Sequence, residues 1–182
     1  MILTKAERDD YAPIGKLYKT SFPRDERAPY FLIKRRASQG RGDMLVAREE
    51  GEIVGFAYII PYQDLAYLFY LAVAPEKQGG GRGSEILHLL KQRYAGCRLF
   101  LAREVLDKKA DNYEQRKKRR EFYLKNGFHD MFAHIKEASV VYDAMGIGNK
   151  VSSQEYDDLI TRWGGTLLRR FVDLRLFYPN EA

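Results

Sequence analysis

The sequence predicts an α/β domain built on a mixed β-sheet with helices packed against it. Three observations carry that expectation. Apolar runs rich in aromatic and β-branched residues alternate with segments of helical spacing. Between residues 67 and 103 a strand, a glycine-rich loop, a helix and a second strand follow one another. Hydrophobic residues make up 45% and charged residues 31% of 182, which is enough apolar material for one core, too much for a disordered chain, and too short a chain for two full domains.

Taken in order, Ala12, Ile14, Leu17 and Tyr18 recur among charges at helical spacing, so residues 6–20 read as a helix. Pro23 interrupts it, because a proline disfavours a helical residue before it and donates no backbone hydrogen bond. A second short helix is expected over residues 29–37, and Gly40-Arg41-Gly42-Asp43 reads as a turn. Residues 44–47 and 53–61 read as antiparallel strands reversed at Glu49-Glu50-Gly51-Glu52. The run from 67 to 73 is a central strand stopped by Ala74-Pro75. Ile86, Leu87, Leu89, Leu90 and Tyr94 have helical spacing up to Gly96, and residues 98–103 form another strand. That order is a βαβ unit, for which a parallel pair with a right-handed crossover is expected.

Residues 113–125 read as a long charged helix closed by Asn126-Gly127, where Gly127 supplies the left-handed stop. Residues 128–135 and 139–144 read as a last pair of strands, set off by Gly146-Ile147-Gly148. Ser152 followed by Glu155 is a capping-box signature for a helix ending at Gly164-Gly165. Beyond it two readings stand: Leu167, Phe171, Leu174 and Tyr178 have helical spacing, whereas Val172, Leu174, Leu176 and Tyr178 alternate as in a strand. Trp163, Phe171, Leu174, Leu176 and Phe177 make this tail too apolar for a free one, so it is expected to fold onto the domain or onto a homodimer partner.

The first residues contain no apolar signal core, and no run reaches the ~18 apolar residues of a membrane span, so a cytoplasmic protein is expected. Cys97 is the only cysteine, which excludes an internal disulfide; it reads as a buried apolar residue before its strand. His88, His129 and His134 form no spaced ligand set, so no metal is expected. The formal charge of +6 favours an anionic partner. Seven basic residues lie between Lys108 and Arg120 against Asp111 and Glu114. That run reads as a solvated helix face or as an anion-attracting surface. Nucleic acid is not specifically indicated, because the accompanying aromatics share the helix with the charges and do not alternate on a stacking sheet.

The sharpest local feature is Gln78-Gly79-Gly80-Gly81-Arg82-Gly83-Ser84, between a strand and a helix. Its glycines allow positive φ and close backbone approach, and the helix start presents unpaired N–H groups to an anion. It reads as a pyrophosphate cradle or as a tight structural turn. A Walker loop would need Lys-Ser or Lys-Thr after its last glycine, and the dinucleotide fingerprint belongs to the first unit of a larger sheet; neither fits.

The run Leu71-Ala72-Val73-Ala74-Pro75-Glu76-Lys77 leading into that loop resembles the central motif of the GNAT superfamily of N-acetyltransferases, with Gln78, Gly81 and Gly83 at the motif's fixed places. Phe122-Tyr123-Leu124-Lys125-Asn126-Gly127-Phe128 is similar to the family's second signature, about 45 residues further on. The resemblance covers residues 1–145 and leaves 146–182 as an extension. It implies a mixed sheet of six or seven strands, splayed between the fourth and fifth, and acetyl-CoA as acyl donor. The implied cofactor contacts are Leu71, Ala72 and Val73 along pantetheine, Gln78, Gly79, Gly80, Gly81, Arg82, Gly83 and Ser84 around pyrophosphate, and Asn112 as the asparagine after the fifth strand.

The same resemblance assigns Tyr123 as the acid that protonates the departing thiolate, a role within reach of a phenol; the residue also reads as a helix aromatic packed on the sheet. Many family members place a glutamate on the fourth strand where this chain has Tyr67, so Glu104 becomes the expected base or water anchor and Asp64 a weaker one. The acceptor site is expected from Phe22, Asp25, Glu26, Arg27 and Tyr30 between the first two helices, with Tyr67 opposite. The activity implied is acetyl transfer to a primary amine of a small molecule or a protein. A non-catalytic acyl-CoA-binding module is the alternative, and nucleic-acid binding a more distant one.

Overall fold

A computed structural model describes residues 1–138, 140–171 and 173–179, with 166–171 as backbone only. The chain forms two compact units, residues 1–61 with 68–95 and residues 62–67 with 96–182.

In the first unit the strands are β1 (Ile2–Lys5), β2 (Asp43–Glu49), β3 (Glu52–Tyr62) and the later part of β4 (Leu65–Val73), in the order β1-β2-β3-β4. The β2–β3 reversal is the expected one. Glu49 pairs with Glu52 around Glu50 (φ 53°) and Gly51 (φ 86°), two positive φ angles that match the twist of a two-residue hairpin. β1 was not legible in the sequence: four residues with only Ile2 and Leu3 apolar carry no periodicity, and the strand exists because Ile2 to Lys5 pair antiparallel with Arg48 to Leu45. The expected helices are α1 (Tyr11–Ser21) and α2 (Tyr30–Ser38), with short 3₁₀ turns at Arg8–Asp10 and Arg24–Glu26. Ile14, Leu17, Tyr18 and Ile33 bury their apolar faces. α3 (Arg82–Arg93) buries Ile86, Leu87 and Leu90. Gly55 on β3 permits the close approach there: a Cβ would stand 2.5 Å from the Ala72 carbonyl oxygen and 3.0 Å from Ile86 Cδ1.

In the second unit the order is β4-β5-β7-β6-β8, with β5 (Arg98–Glu104) parallel to the start of β4, and with β6 (His129–Glu137), β7 (Val140–Ile147) and β8 (Leu174–Phe177). Among the described residues the sheet has eight strands, one more than the upper number expected, and the last, β8, comes from the tail. Gly146 and Ile147 are not a separator; they lie inside β7, paired with Phe100 and Leu99. α5 (Ser153–Phe171) starts at the expected box, with Ser152 N–H donating to Glu155 (2.8 Å) and Glu155 N–H donating to Ser152 Oγ (3.2 Å). Gly165 (φ 79°, ψ 164°) breaks it, as expected, but a further helical stretch follows before β8. Both readings of the tail thus hold over different residues; Val172, like Ser139 at the expected start of β7, lies outside the described residues. Cys97 is half-buried, not buried, because it precedes the first core position of β5.

Side-chain alternation sorts this unit into two faces. Phe100, Glu104, Tyr142 and Ile135 share one through cross-strand pairing. There Tyr67 stacks on Phe100 (4.7 Å between centroids, 14°), and Tyr156 of α5 meets Tyr67 edge-on at 5.8 Å. Arg103, Asp143 and His134 share the other.

Candidate functional site

The glycine loop belongs to the first unit. After the 3₁₀ turn at Pro75–Lys77, Gly79 (φ 84°), Gly80 (φ 58°) and Gly81 (φ 80°) are consecutively left-handed, and Gly81 is the N-cap of α3. A Cβ added at Gly79 or Gly81 would meet nothing within 4 Å, so these glycines leave open space above the backbone. Successive left-handed residues followed by a helix start turn backbone N–H groups to one side, the arrangement that favours an anion. Gly83 differs from expectation: it lies within the first turn of α3, and its place is helical. Gln78 donates through Nε2 to the Val73 carbonyl (3.2 Å), which ties the loop to the end of β4. Arg82 does not extend freely toward an anion. It pairs with Glu49 (2.7 Å) and reaches the Lys77 carbonyl (3.4 Å), while Lys77 pairs with Glu52. The cradle's remaining positive character is that of backbone amides, and the residues present fit a pyrophosphate.

The expected acceptor residues gather around an aromatic cluster of the same unit. Phe22 packs against Tyr70 (4.9 Å) and Tyr18 (5.6 Å). Tyr70, which sequence reasoning missed, accepts from Ala28 N–H (2.9 Å) and donates to the Glu26 carbonyl (3.0 Å); Tyr18 donates to the Ala28 carbonyl (2.8 Å). The α1–α2 connection is thereby clamped at both ends of one residue. Asp25 is exposed, Glu26 half-buried, and Arg27 reaches the Lys19 carbonyl at 3.3 Å. Tyr30 is a packing residue: it donates to the Tyr11 carbonyl (2.6 Å), stacks on Tyr18, and occupies the space beside Gly15. Burial and the neighbouring Tyr11 and Tyr18 phenols push its own phenol up.

The residues expected to carry the chemistry, Tyr123 and Glu104, lie in the second unit. Tyr123 is the one buried residue of α4 (Tyr113–Lys125), 9% exposed, and packs edge-on against Phe128 (5.6 Å). Burial raises its phenol above the ordinary range, with the charge of Arg119 opposing, so it holds its proton at neutral pH. Glu104 is strongly engaged. It accepts from Asn112 Nδ2 (3.0 Å), pairs with Arg119, and lies 3.7 Å from Arg116, which itself donates to Asn112 Oδ1 (2.7 Å). Asn112 is thus part of the Glu104 cluster. Tyr67 is a core residue, 1% exposed, whose phenol donates to Glu137 (2.6 Å); burial and that carboxylate push it well up. It offers no acceptor-facing surface. Asp64 is held by Arg98 at 2.8 Å, a guanidinium that also binds Glu155.

The basic run is only partly a solvated face: Arg116, Arg119 and Arg120 are spent on Glu104 and Asp130. Sequence reasoning missed those acidic partners because they lie on other strands. A pocket of about 330 Å³ near the start of β5, lined by Phe100, Met131, Phe132 and Lys150 among others, contains none of the expected site residues.

Residues 40–130 match the family model described as an acetyltransferase (GNAT) domain, which is half of the chain, and the chain belongs to that family. Among solved structures, a candidate acetyltransferase of the GNAT family from Bacteroides thetaiotaomicron aligns with a TM-score of 0.72 at 20% identity, covering 91% of this chain and 99% of its own. An aminoglycoside 6'-N-acetyltransferase complexed with coenzyme A aligns at 0.63 and 18%, covering 83% and 100%. The ribosomal-protein-S18-alanine N-acetyltransferase from Escherichia coli aligns at 0.62 and 17%, covering 84% and 96%. No curated protein matches the sequence. Among the described residues, no helix is long and apolar enough to cross a membrane.

Proposed function

We propose that this chain is an acetyl-CoA-dependent N-acetyltransferase acting on a primary amine of a small molecule or protein in the cytoplasm. Residues 1–145 are the catalytic region in this reading, and 146–182, which begins with the last two residues of β7 and carries α5 and β8, is an extension compatible with a homodimer. The observation that carries it is the run of left-handed glycines opening α3, together with the family membership. The amides of Gly79 to Ser84 hold the pyrophosphate, Leu71, Ala72 and Val73 offer backbone groups to pantetheine, and Asn112 lies beside the donor. Acetyl-CoA supplies an activated thioester.

An unprotonated amine attacks the thioester carbonyl; the carbon–nitrogen bond forms as the carbon–sulfur bond breaks. Tyr123 gives its proton to the thiolate and recovers one from the nitrogen through solvent. Glu104, fixed by Asn112 and two guanidinium groups, anchors water for that exchange in preference to acting as a free base. Asp25 and Glu26 favour cationic acceptors.

Titration calorimetry against acetyl-CoA, coenzyme A, ATP and NAD tests the donor, and preference for either nucleotide sinks the assignment. Thiol release across a panel of cationic and neutral amines tests the acceptor. The engaged Glu104 and the buried Tyr67 favour one second reading, a non-catalytic acyl-CoA-binding module. Tight acetyl-CoA binding with no thiol release from any amine selects it.

A further inference from the structure

α4 has almost no apolar seat. Of its thirteen residues only Tyr123 is buried, whereas a helix on a sheet ordinarily docks through a stripe about 100° wide. Beyond the half-buried Tyr113 and Phe122, its attachments are charged. Arg116 and Arg119 meet Glu104 at the end of β5, and Arg120, one turn before Tyr123, pairs with Asp130 of β6.

Asp130 is the hub of a larger set. It lies 3.2 Å from Arg103, whose side chain is 5% exposed and which also pairs with Asp143 (3.0 Å) and donates to the Glu104 carbonyl (2.9 Å). His134 Nδ1 stands 3.1 Å from Asp143. Burial opposes the charge on Asp130, but hydrogen bonds from Arg120 and Arg103 hold its carboxyl below the usual range.

The local backbone is shaped to make this set. Asp130 faces Met145 and His134 faces Asp143, so three residues of β6 oppose Ala144 alone. That bulge leaves Phe132 at φ 55° and 84% exposed while Met131 and Ala133 stay buried. It draws Asp130 and His134, four positions apart in sequence, to within two rows of β7. Bulges re-aim side chains in this way. Ion pairs, whether buried or partly exposed as these are, contribute little to stability compared with apolar packing, so a bulge that assembles a set of them calls for another account.

We propose that Asp130, through Arg120 and backed by Arg103, is a positioning residue that fixes α4 and hence the phenol of Tyr123. The inference rests on the acetyl-transfer reading for its kinetic consequence but not for its geometric one. Removing the pair leaves the fold and the glycine loop in place and lets the helix settle elsewhere on the sheet.

The test uses Asp130→Asn and the more exposed Arg120→Gln in the full chain. Saturating acetyl-CoA with single-turnover transfer to the best amine of the panel is expected to give a tenfold slower step, with acetyl-CoA affinity within twofold of the parent. Arg120→Lys restores most of that loss, and in a Tyr123→Phe background Asp130→Asn adds nothing further. Losses that multiply in the double variant, or a parent-like rate in both single variants, overturn the proposal while leaving the acetyltransferase reading intact. A readout independent of turnover is the ¹⁹F resonance of 3-fluorotyrosine at position 123. It is expected to shift or split in Asp130→Asn, and an unchanged single line overturns the proposal even if the parent transfers no acetyl group.

Discussion

Replacing Gly81 by alanine separates the anion-cradle role of the glycine loop from a merely structural one. At φ 80° the residue is in the left-handed region, and an added Cβ would meet nothing within 4 Å. The stability cost is therefore one of backbone conformation alone, about 1 to 2 kcal/mol for an L-residue there. For a chain of this size that lowers Tm by about 2 to 8 °C. If the strained loop also loses one charged hydrogen bond to pyrophosphate, worth about 1.5 to 3 kcal/mol, acetyl-CoA binds roughly 10- to 150-fold more weakly. Gly83→Ala is the matched control. Its place is helical, so alanine there carries none of the left-handed cost and is neutral to stabilising by up to about 1 kcal/mol. Scanning calorimetry without ligand and titration calorimetry with acetyl-CoA, both well below Tm, read the two effects. A Gly81→Ala protein that loses Tm yet binds acetyl-CoA within twofold of the parent refutes the cradle.

Tyr123→Phe keeps the edge-on contact with Phe128 and removes the hydroxyl, so single-turnover transfer is expected to slow about 10²-fold with acetyl-CoA affinity unchanged; a parent-like rate makes the residue structural. Tyr70→Phe removes the acceptor of Ala28 N–H and the donor to the Glu26 carbonyl, for about 1 to 3 kcal/mol, and is expected to raise KM for the amine while leaving acetyl-CoA affinity alone. Glu155, hydrogen-bonded by Arg98 and by Ser152 N–H, is held down to about 2. A depressed carboxylate stabilises above its unfolded pKa, and that contribution is lost as pH falls through roughly 4.5 to 2. Circular dichroism during acid titration should therefore find the parent losing more stability than Glu155→Gln across that window, and equal slopes would remove the role of the Arg98 pair.

Much of this protein was written locally in its sequence. The glycines at 79–81, the Asn126-Gly127 stop, the Glu50-Gly51 reversal and the Ser152–Glu155 box each act within a few residues through φ preference or a single capping bond, so residue type alone placed them. The two spaced signatures around Gly81 and Tyr123 carried the resemblance for the same reason.

What only the tertiary structure decided depends on partners distant in the chain. β1 exists through its pairing with β2, and β8 through its pairing with β6. Tyr67 is a core residue because Phe100, Tyr156 and Glu137 surround it, not because of its own neighbours in sequence. The basic helix looked like a solvated face; three of its arginines proved to be anchors because Glu104 and Asp130 come to them from other strands. Arg82, expected to face an anion, is turned back by Glu49 across the β2–β3 hairpin. Charge in a sequence reports how many ions a segment carries, and the fold alone sets which of them remain to act on a ligand, because an ion pair forms only where two side chains are brought within about 4 Å.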